Sequence, residues 1–262
     1  MNSASLSGLV VLITRPSNQI SSTQLAIESA GAETLSLPLI EIQALTDESA
    51  LRDLQNKVLK LDSYHCLIFV SNNAVNFGAE VINNYWPQFP LGVEVVAVGP
   101  TTAEAARQQL ACPVTHAPSG MTSEDVLQLA QLQDISDKKI GIVRGQGGRE
   151  LLAETLRSRG ATVDYLEAYS RKPVKYESSK FCEALTNAGV NVLSVSSGES
   201  LDRLTAQLVA KSEAMLQLDL VVPSERVALQ AIAAGYKKVH NARGADPGSF
   251  VAALGELVSN QE

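Results

Sequence analysis

Cysteine is scarce in this 262-residue chain: Cys66, Cys112 and Cys182 are scattered, with no CxxC pair and no Cys/His spacing able to surround a zinc ion. This excludes a disulfide-stapled scaffold and a zinc module, and it fits a reduced cytoplasm. Positive charge is also in deficit. Lys+Arg 21 against Asp+Glu 28 leaves a net charge of -7, which argues against a nucleic-acid backbone or an anionic membrane surface as partner. No apolar run is long enough to cross a bilayer, and Met1 to Gly8 shows no basic patch leading into an apolar stretch, so neither secretion nor insertion is expected. The motifs GxxxxGK(S/T), HExxH and GxSxG are absent, which removes P-loop, zincin and serine-hydrolase readings.

What remains is the balance of a globular protein: 45% hydrophobic and 19% charged residues, in a length that suggests about two domains. Short β-branched runs alternate with amphipathic stretches. Leu9 to Ile13 reads as a strand and Thr23 to Ala30 as the helix after it; further strands are predicted at Cys66–Val70, Val93–Val98, Lys139–Val143, Val190–Val195 and Asp219–Val222. Repeated strand–helix units imply α/β architecture with parallel sheets flanked by helices.

The units fall into two sets of three. Arg15 and Arg144 close equivalent strands 129 residues apart, and Gly31-Ala32 and Gly160-Ala161 close the following helices at the same offset. Val70-Ser71 matches Val195-Ser196, and Val98-Gly99 matches Val222-Pro223, at nearly the same spacing. Two similar lobes place their strand carboxyl ends at a crevice, the expected ligand site. Segments 37–42 and 166–172 follow the first unit of each half and read as paired linkers. On that reading residues 1–36 plus 173–262 form one domain and 43–165 the other. A sequential split near Asp134 to Asp137 is one alternative, and ordinary second strands within their own sheets are the alternative reading of the linkers.

The run Gly145-Gln146-Gly147-Gly148-Arg149-Glu150 resembles a dinucleotide-binding turn, with Asp164 at a plausible distance for a ribose contact. Glu150 stands where the third glycine belongs, and an acid there obstructs helix packing and repels a pyrophosphate. No cofactor is therefore expected.

An ordered set of pieces resembles the uroporphyrinogen-III synthase family over nearly the whole chain. They are Leu12-Ile-Thr-Arg-Pro16, Pro38-Leu-Ile-Glu41, Ile68-Phe-Val-Ser-Asn-Asn-Ala-Val75 and Ala97-Val-Gly99 with Thr102. In the second half they are Val143-Arg-Gly145, Gly148-Arg-Glu150, Arg159-Gly-Ala161, Ala168-Tyr169, Ser196-Ser-Gly-Glu-Ser200 and Pro223-Ser-Glu-Arg226. The resemblance implies two similar α/β domains joined by a two-stranded β-ladder, in a monomeric cytoplasmic enzyme. It implies hydroxymethylbilane as substrate, uroporphyrinogen III as product, and hydroxymethylbilane synthase as a transient partner. Tyr169 aligns with the tyrosine proposed in the family to assist departure of the substrate hydroxyl, and the ladder would turn it toward the crevice.

An acidic protein can still hold a polycarboxylate locally, through helix N-termini at strand ends. Candidate substrate-binding residues at such turns are Ser71, Asn72, Gly99, Thr101, Thr102, Gly145, Ser196, Ser197, Gly198 and Ser224. Arg15 and Arg144 are the favoured forked carboxylate partners, ahead of Arg149 and Arg226. For each hydroxyl the competing role is an ordinary helix cap, and for each arginine an ion pair within its own lobe. His65, His116 and His240 read as surface or packing residues. A noncatalytic two-lobe protein binding a small anion is the rival functional reading.

Overall fold

A computed structural model describes residues 5–118, 122–148, 150–209 and 213–259. Eleven strands are present among the described residues: β1 (Val10–Ile13), β2 (Glu33–Ser36), β3 (Ile40–Ala44), β4 (Cys66–Phe69), β5 (Glu94–Ala97), β6 (Thr115–His116), β7 (Lys139–Gly145), β8 (Thr162–Pro173), β9 (Val192–Ser194), β10 (Asp219–Val222) and β11 (Lys238–Asn241). The α-helices are α1 (Ser17–Ser29), α2 (Glu48–Val58), α3 (Asn72–Tyr85), α4 (Pro100–Leu110), α5 (Ser123–Val126), α6 (Leu151–Ser158), α7 (Ser178–Asn187), α8 (Gly198–Val209), α9 (Glu225–Ala233) and α10 (Pro247–Ser259). The chain divides into unit 1, Met1–Ile42 with Lys172–Glu262, and unit 2, Gln43–Arg171.

Unit 1 holds a sheet of order β11-β10-β9-β1-β2, parallel throughout. The other sheet has order β3-β8-β7-β4-β5-β6, and its β8 to β6 portion is parallel. Replacing β1 by β7, β2 by β8, and β9, β10 and β11 by β4, β5 and β6 turns one order into the other. The internal duplication therefore reaches the level of sheet topology. Asp134 to Asp137 lies inside unit 2, ahead of β7, whose neighbours β4 and β8 flank it in sequence.

The strand residues explain the layering. In β1, alternate side chains leave opposite faces. Leu12 packs with Phe181, Leu204 and Val227 of α7, α8 and α9, whereas Val11 and Ile13 join Ile27, Phe250 and Leu254 of α1 and α10. Both faces are covered, so an uninterrupted apolar run is required. In unit 2, Ile68, Val96, Ile140 and Ile142 pack with Val126 of α5 and Leu152 and Leu156 of α6. Gly31 and Gly160, two residues past equivalent helix ends, have φ of +99° and +88°, a left-handed conformation that closes each helix most cheaply with glycine.

Helix α1 begins at Ser17, earlier than apolar spacing predicts, because its first turn, Ser17-Asn18-Gln19, is polar. The segment predicted as the second linker is the later part of a 12-residue strand. Leu166 to Tyr169 stay in register with β7, from Val143↔Leu166 to Gly145↔Tyr169, with an irregularity between Arg144 and Gly145. β3 lies beside β8, giving a two-stranded ladder through which the chain passes from one unit to the other.

Candidate active site

Parallel strands direct their following loops to one edge of each sheet, where helix starts cluster. Two of the candidate hydroxyls serve those starts as caps: the Ser71 hydroxyl accepts from the Ala74 amide at 3.2 Å, and the Ser197 hydroxyl accepts from the Ser200 amide at 3.1 Å. Several starts have no such cap, those of α1 and α6 among them, as well as two that carry candidate residues. Helix α4 follows Gly99 with Pro100 in its first turn, and α9 follows Ser224, whose side chain makes no capping bond. At such starts side-chain capping leaves backbone donors to other acceptors. Thr102, buried in the first turn of α4, donates to Asn72 Oδ1 at 2.9 Å and so joins the starts of α3 and α4. Thr101 and Asn72 are exposed, and Ser196 is half-buried.

At this edge of unit 2 lies a cavity of about 450 Å³, lined by Val70 and Val98 at strand ends, Thr122 and Ser123, and Arg144, Gly145 and Arg171. Directly behind its wall is Tyr169. Its ring is fully buried, 0% exposed, which corrects the expectation that the ladder turns it toward the crevice. The reason is Gly145: a Cβ there would lie 2.4 Å from Tyr169 Cε2, so the absent side chain is the space the ring occupies. Phe77 closes the ring's surroundings at a centroid distance of 5.5 Å. The phenol oxygen lies 3.4 Å from Ser71 Oγ and accepts from the Arg171 guanidinium at 3.4 Å.

The arginines sort differently. Arg144 is 6% exposed; its guanidinium donates to the Gly147 carbonyl, pairs with Glu150 at 3.4 Å and lies 4.7 Å from the Tyr165 ring centroid. Tyr165 donates to Glu150, and this bond, followed by the neighbouring Arg144, holds the Glu150 carboxyl below its ordinary range. Gly148, at φ +105°, leaves room for Arg144 Nη2, 2.6 Å from where a Cβ would stand. The glycine turn is thus closed over an arginine. In unit 1, Arg15 donates to the Ala245 carbonyl and covers the Phe250 ring at 5.1 Å; burial pushes its pKa down, with Asp246 opposing. Arg226 is exposed and donates to Gln230 Oε1 at 3.0 Å, next to Gly198, where a Cβ would meet that oxygen at 2.8 Å. Arg149 lies outside the described residues.

Sequence reasoning missed Arg171, Tyr165 and Glu150 as site neighbours; the β8 alternation that puts 169 and 171 on one face was the available signal for the first. His240 pairs with Asp219 at 2.7 Å and His116 Nδ1 contacts the Ala117 carbonyl at 2.8 Å, and neither is among the residues that line the cavity. Burial raises the Cys66 thiol well above its ordinary range, which leaves it a packing group. Among the described residues no group of three or more His, Cys, Asp or Glu is placed to hold a metal ion, and no helix is long and apolar enough to cross a membrane. A larger cavity, about 860 Å³, lies around Pro87–Val95 and Gln109–Pro113, at the start of β5 and the end of α4, away from these side chains.

Comparisons with known proteins bear on the same chain. A family model described as uroporphyrinogen-III synthase HemD matches residues 21–252. A uroporphyrinogen-III synthase of Proteus mirabilis is 38% identical over 194 residues, 74% of this chain and 96% of the relative. Another, from Salmonella typhimurium, is 33% identical over 247 residues, 93% of this chain and 99% of the relative. Among solved structures, a mutant uroporphyrinogen III synthase from Thermus thermophilus reaches a TM-score of 0.61 at 15% identity, covering 97% of this chain and 100% of that one, a likeness of fold. With a matching family model across most of its length, relatives of one name nearly end to end, and the shared two-sheet fold, the chain belongs to the uroporphyrinogen-III synthase family.

Proposed function

We propose that this enzyme cyclises hydroxymethylbilane to uroporphyrinogen III with inversion of ring D. The observation that carries this reading is the family match over residues 21–252, joined by relatives that align nearly end to end. The substrate loses its hydroxyl as water to give an azafulvene; the substituted carbon of ring D attacks to form a spiro intermediate, which fragments and recloses with the ring inverted. The proton taken by the departing hydroxide is balanced by one released when the macrocycle rearomatises. The net change is loss of one water, so neither oxidant nor reductant is consumed.

Because the substrate also closes unaided to the uninverted isomer, the protein's main work is to hold one ring geometry. The uncapped starts of α4 and α9 support a role for main-chain amides in holding carboxylates, with Ser71, Asn72, Thr101, Thr102, Ser196, Ser197, Gly198 and Ser224 shaping the approach. Arg15, Arg144 and Arg226 supply charge near the ends of β1 and β7 and the start of α9, and Arg149 is the remaining candidate from the sequence. Tyr169 acts from behind the cavity wall, through the groups its hydroxyl touches. The reading has the enzyme working as a cytoplasmic monomer that meets hydroxymethylbilane synthase transiently.

The test is product analysis. Purified protein given hydroxymethylbilane without added cofactor should yield mainly the type III isomer after oxidation and chromatography. Type I alone, at the spontaneous rate, overturns the reading in favour of a noncatalytic anion-binding protein.

A further inference from the structure

The internal duplication matches Thr102 with Arg226: each lies four residues past the matched valines Val98 and Val222, in the first turn of α4 and of α9. Thr102 is buried and joins the start of α4 to that of α3 by donating to Asn72. Arg226 stands between the matching helix starts of unit 1 as an exposed cation, its Nη1 lying 3.5 Å from where a Cβ at Gly198, the first residue of α8, would stand. Gln230, one turn further along α9, accepts from the same Nη1 at 3.0 Å, and its Oε1 lies 2.8 Å from that Cβ position. A side chain at 198 would need the space the amide occupies, so glycine there is what lets Gln230 reach. Among the described residues no carboxylate pairs with Arg226. The acids beside these two positions in sequence have other partners: Glu199 pairs with Arg203 at 2.9 Å, and Glu225 accepts from Asn241 at 3.1 Å.

We propose that Gln230 is a positioning residue that holds the Arg226 guanidinium at the start of α8, where it binds one carboxylate of the linear tetrapyrrole. The proposal rests on the cyclase reading above. A guanidinium carries five donors in a planar fork, and one neutral acceptor takes a single donor while leaving the charge uncompensated. A glutamate at 230 would neutralise that charge, and an apolar residue would release a long side chain whose freedom must then be lost on binding. The neutral amide avoids both. Gly198 opens α8, whose first-turn amides add positive potential at the same place. The equivalent link in unit 2 is neutral and buried; in unit 1 it presents a charge.

The experiment measures initial rates of type III formation from hydroxymethylbilane at several ionic strengths, beside thermal unfolding, for wild type, Arg226→Gln, Gln230→Met, Gln230→Glu and the double variant Arg226→Gln/Gln230→Met. Arg226→Gln should raise KM about tenfold and flatten its salt dependence, with kcat little changed. Gln230→Met keeps the length without the acceptor and should raise KM about threefold, an increase that disappears when Arg226 is already Gln. Gln230→Glu should leave thermal stability equal or higher, through an i,i+4 ion pair, while KM rises and its salt dependence flattens because the guanidinium has gained an internal partner. A residue that merely supports α9 would move stability and affinity in the same direction. If wild type makes the type III isomer while Arg226→Gln or both Gln230 variants keep the wild-type KM, the proposal is overturned and the cyclase reading stands. It is equally overturned if Gln230→Met raises KM as much without Arg226 as with it. If wild type makes only type I, it is the cyclase reading that has failed.

Discussion

Gly145 and Tyr169 are partners across β7 and β8 at the point where the register becomes irregular, and the tyrosine ring occupies the volume a side chain at 145 would need. Gly145→Ala sets a methyl group 2.4 Å from Cε2, so ring or strand must shift. Overpacking of this kind costs about 1–3 kcal/mol. Urea unfolding should show a lowered midpoint, and turnover should fall as the Tyr169 hydroxyl leaves its contacts with Ser71 and Arg171; a midpoint equal to wild type would mean the ring relocates freely.

Tyr169→Phe keeps the packed ring and removes two contacts of 3.4 Å. Such long hydrogen bonds contribute at most about 1 kcal/mol, so the variant should fold. Type III formation should slow without vanishing. A rate identical to wild type would remove the hydroxyl from the mechanism.

Thr102→Val breaks the 2.9 Å bond to Asn72 that couples the starts of α3 and α4. The Thr102 side chain is buried, and losing this hydrogen bond should cost about 1 kcal/mol. If the two helix starts hold substrate together, KM rises more than kcat falls. Equal stability and equal KM would separate the two loops functionally.

Asp164 supplies the pH dependence. Desolvation raises its pKa, but hydrogen bonds from Tyr64 at 2.7 Å and Lys139 at 3.1 Å outweigh it and the net shift is downward. A depressed carboxyl stabilises the fold above its unfolded pKa, and that contribution is lost as pH falls through the folded value. Asp164→Asn should therefore unfold at a lower temperature than wild type at neutral pH, and the gap should close in acid, below about pH 4. A gap that persists unchanged to acid pH would assign the difference to packing.

Much of the fold was legible because buried parallel strands need apolar residues on both faces. Val-Val-Leu-Ile in β1, Cys-Leu-Ile-Phe in β4 and Asp-Leu-Val-Val in β10 announce themselves as short runs. Edge strands do not: β2, β6 and β11 are short and half-exposed, and Glu-Thr-Leu-Ser, Thr-His and Lys-Val-His-Asn carry too little pattern. The candidate site was less legible for a physical reason. Tyr169 is buried by a glycine 24 positions earlier, and Arg15 is held by a carbonyl 230 positions later, partners that no local spacing reveals. Helix capping by Ser71 and Ser197 follows local rules, yet that Ser224 does not cap depends on the loop's actual backbone path.

The placement of β1 between β2 and β9 has a consequence during synthesis. Residues 43–171, which carry every strand of the unit 2 parallel sheet, are synthesised before β9 is translated. Between Ile13 and Val192 the ribosome adds about 180 residues, roughly 10–35 s at ordinary elongation speeds, while one side of β1 has no native partner. Nascent chains of this enzyme must therefore carry an open strand edge through most of translation, and the first segment to emerge is among the last to be enclosed.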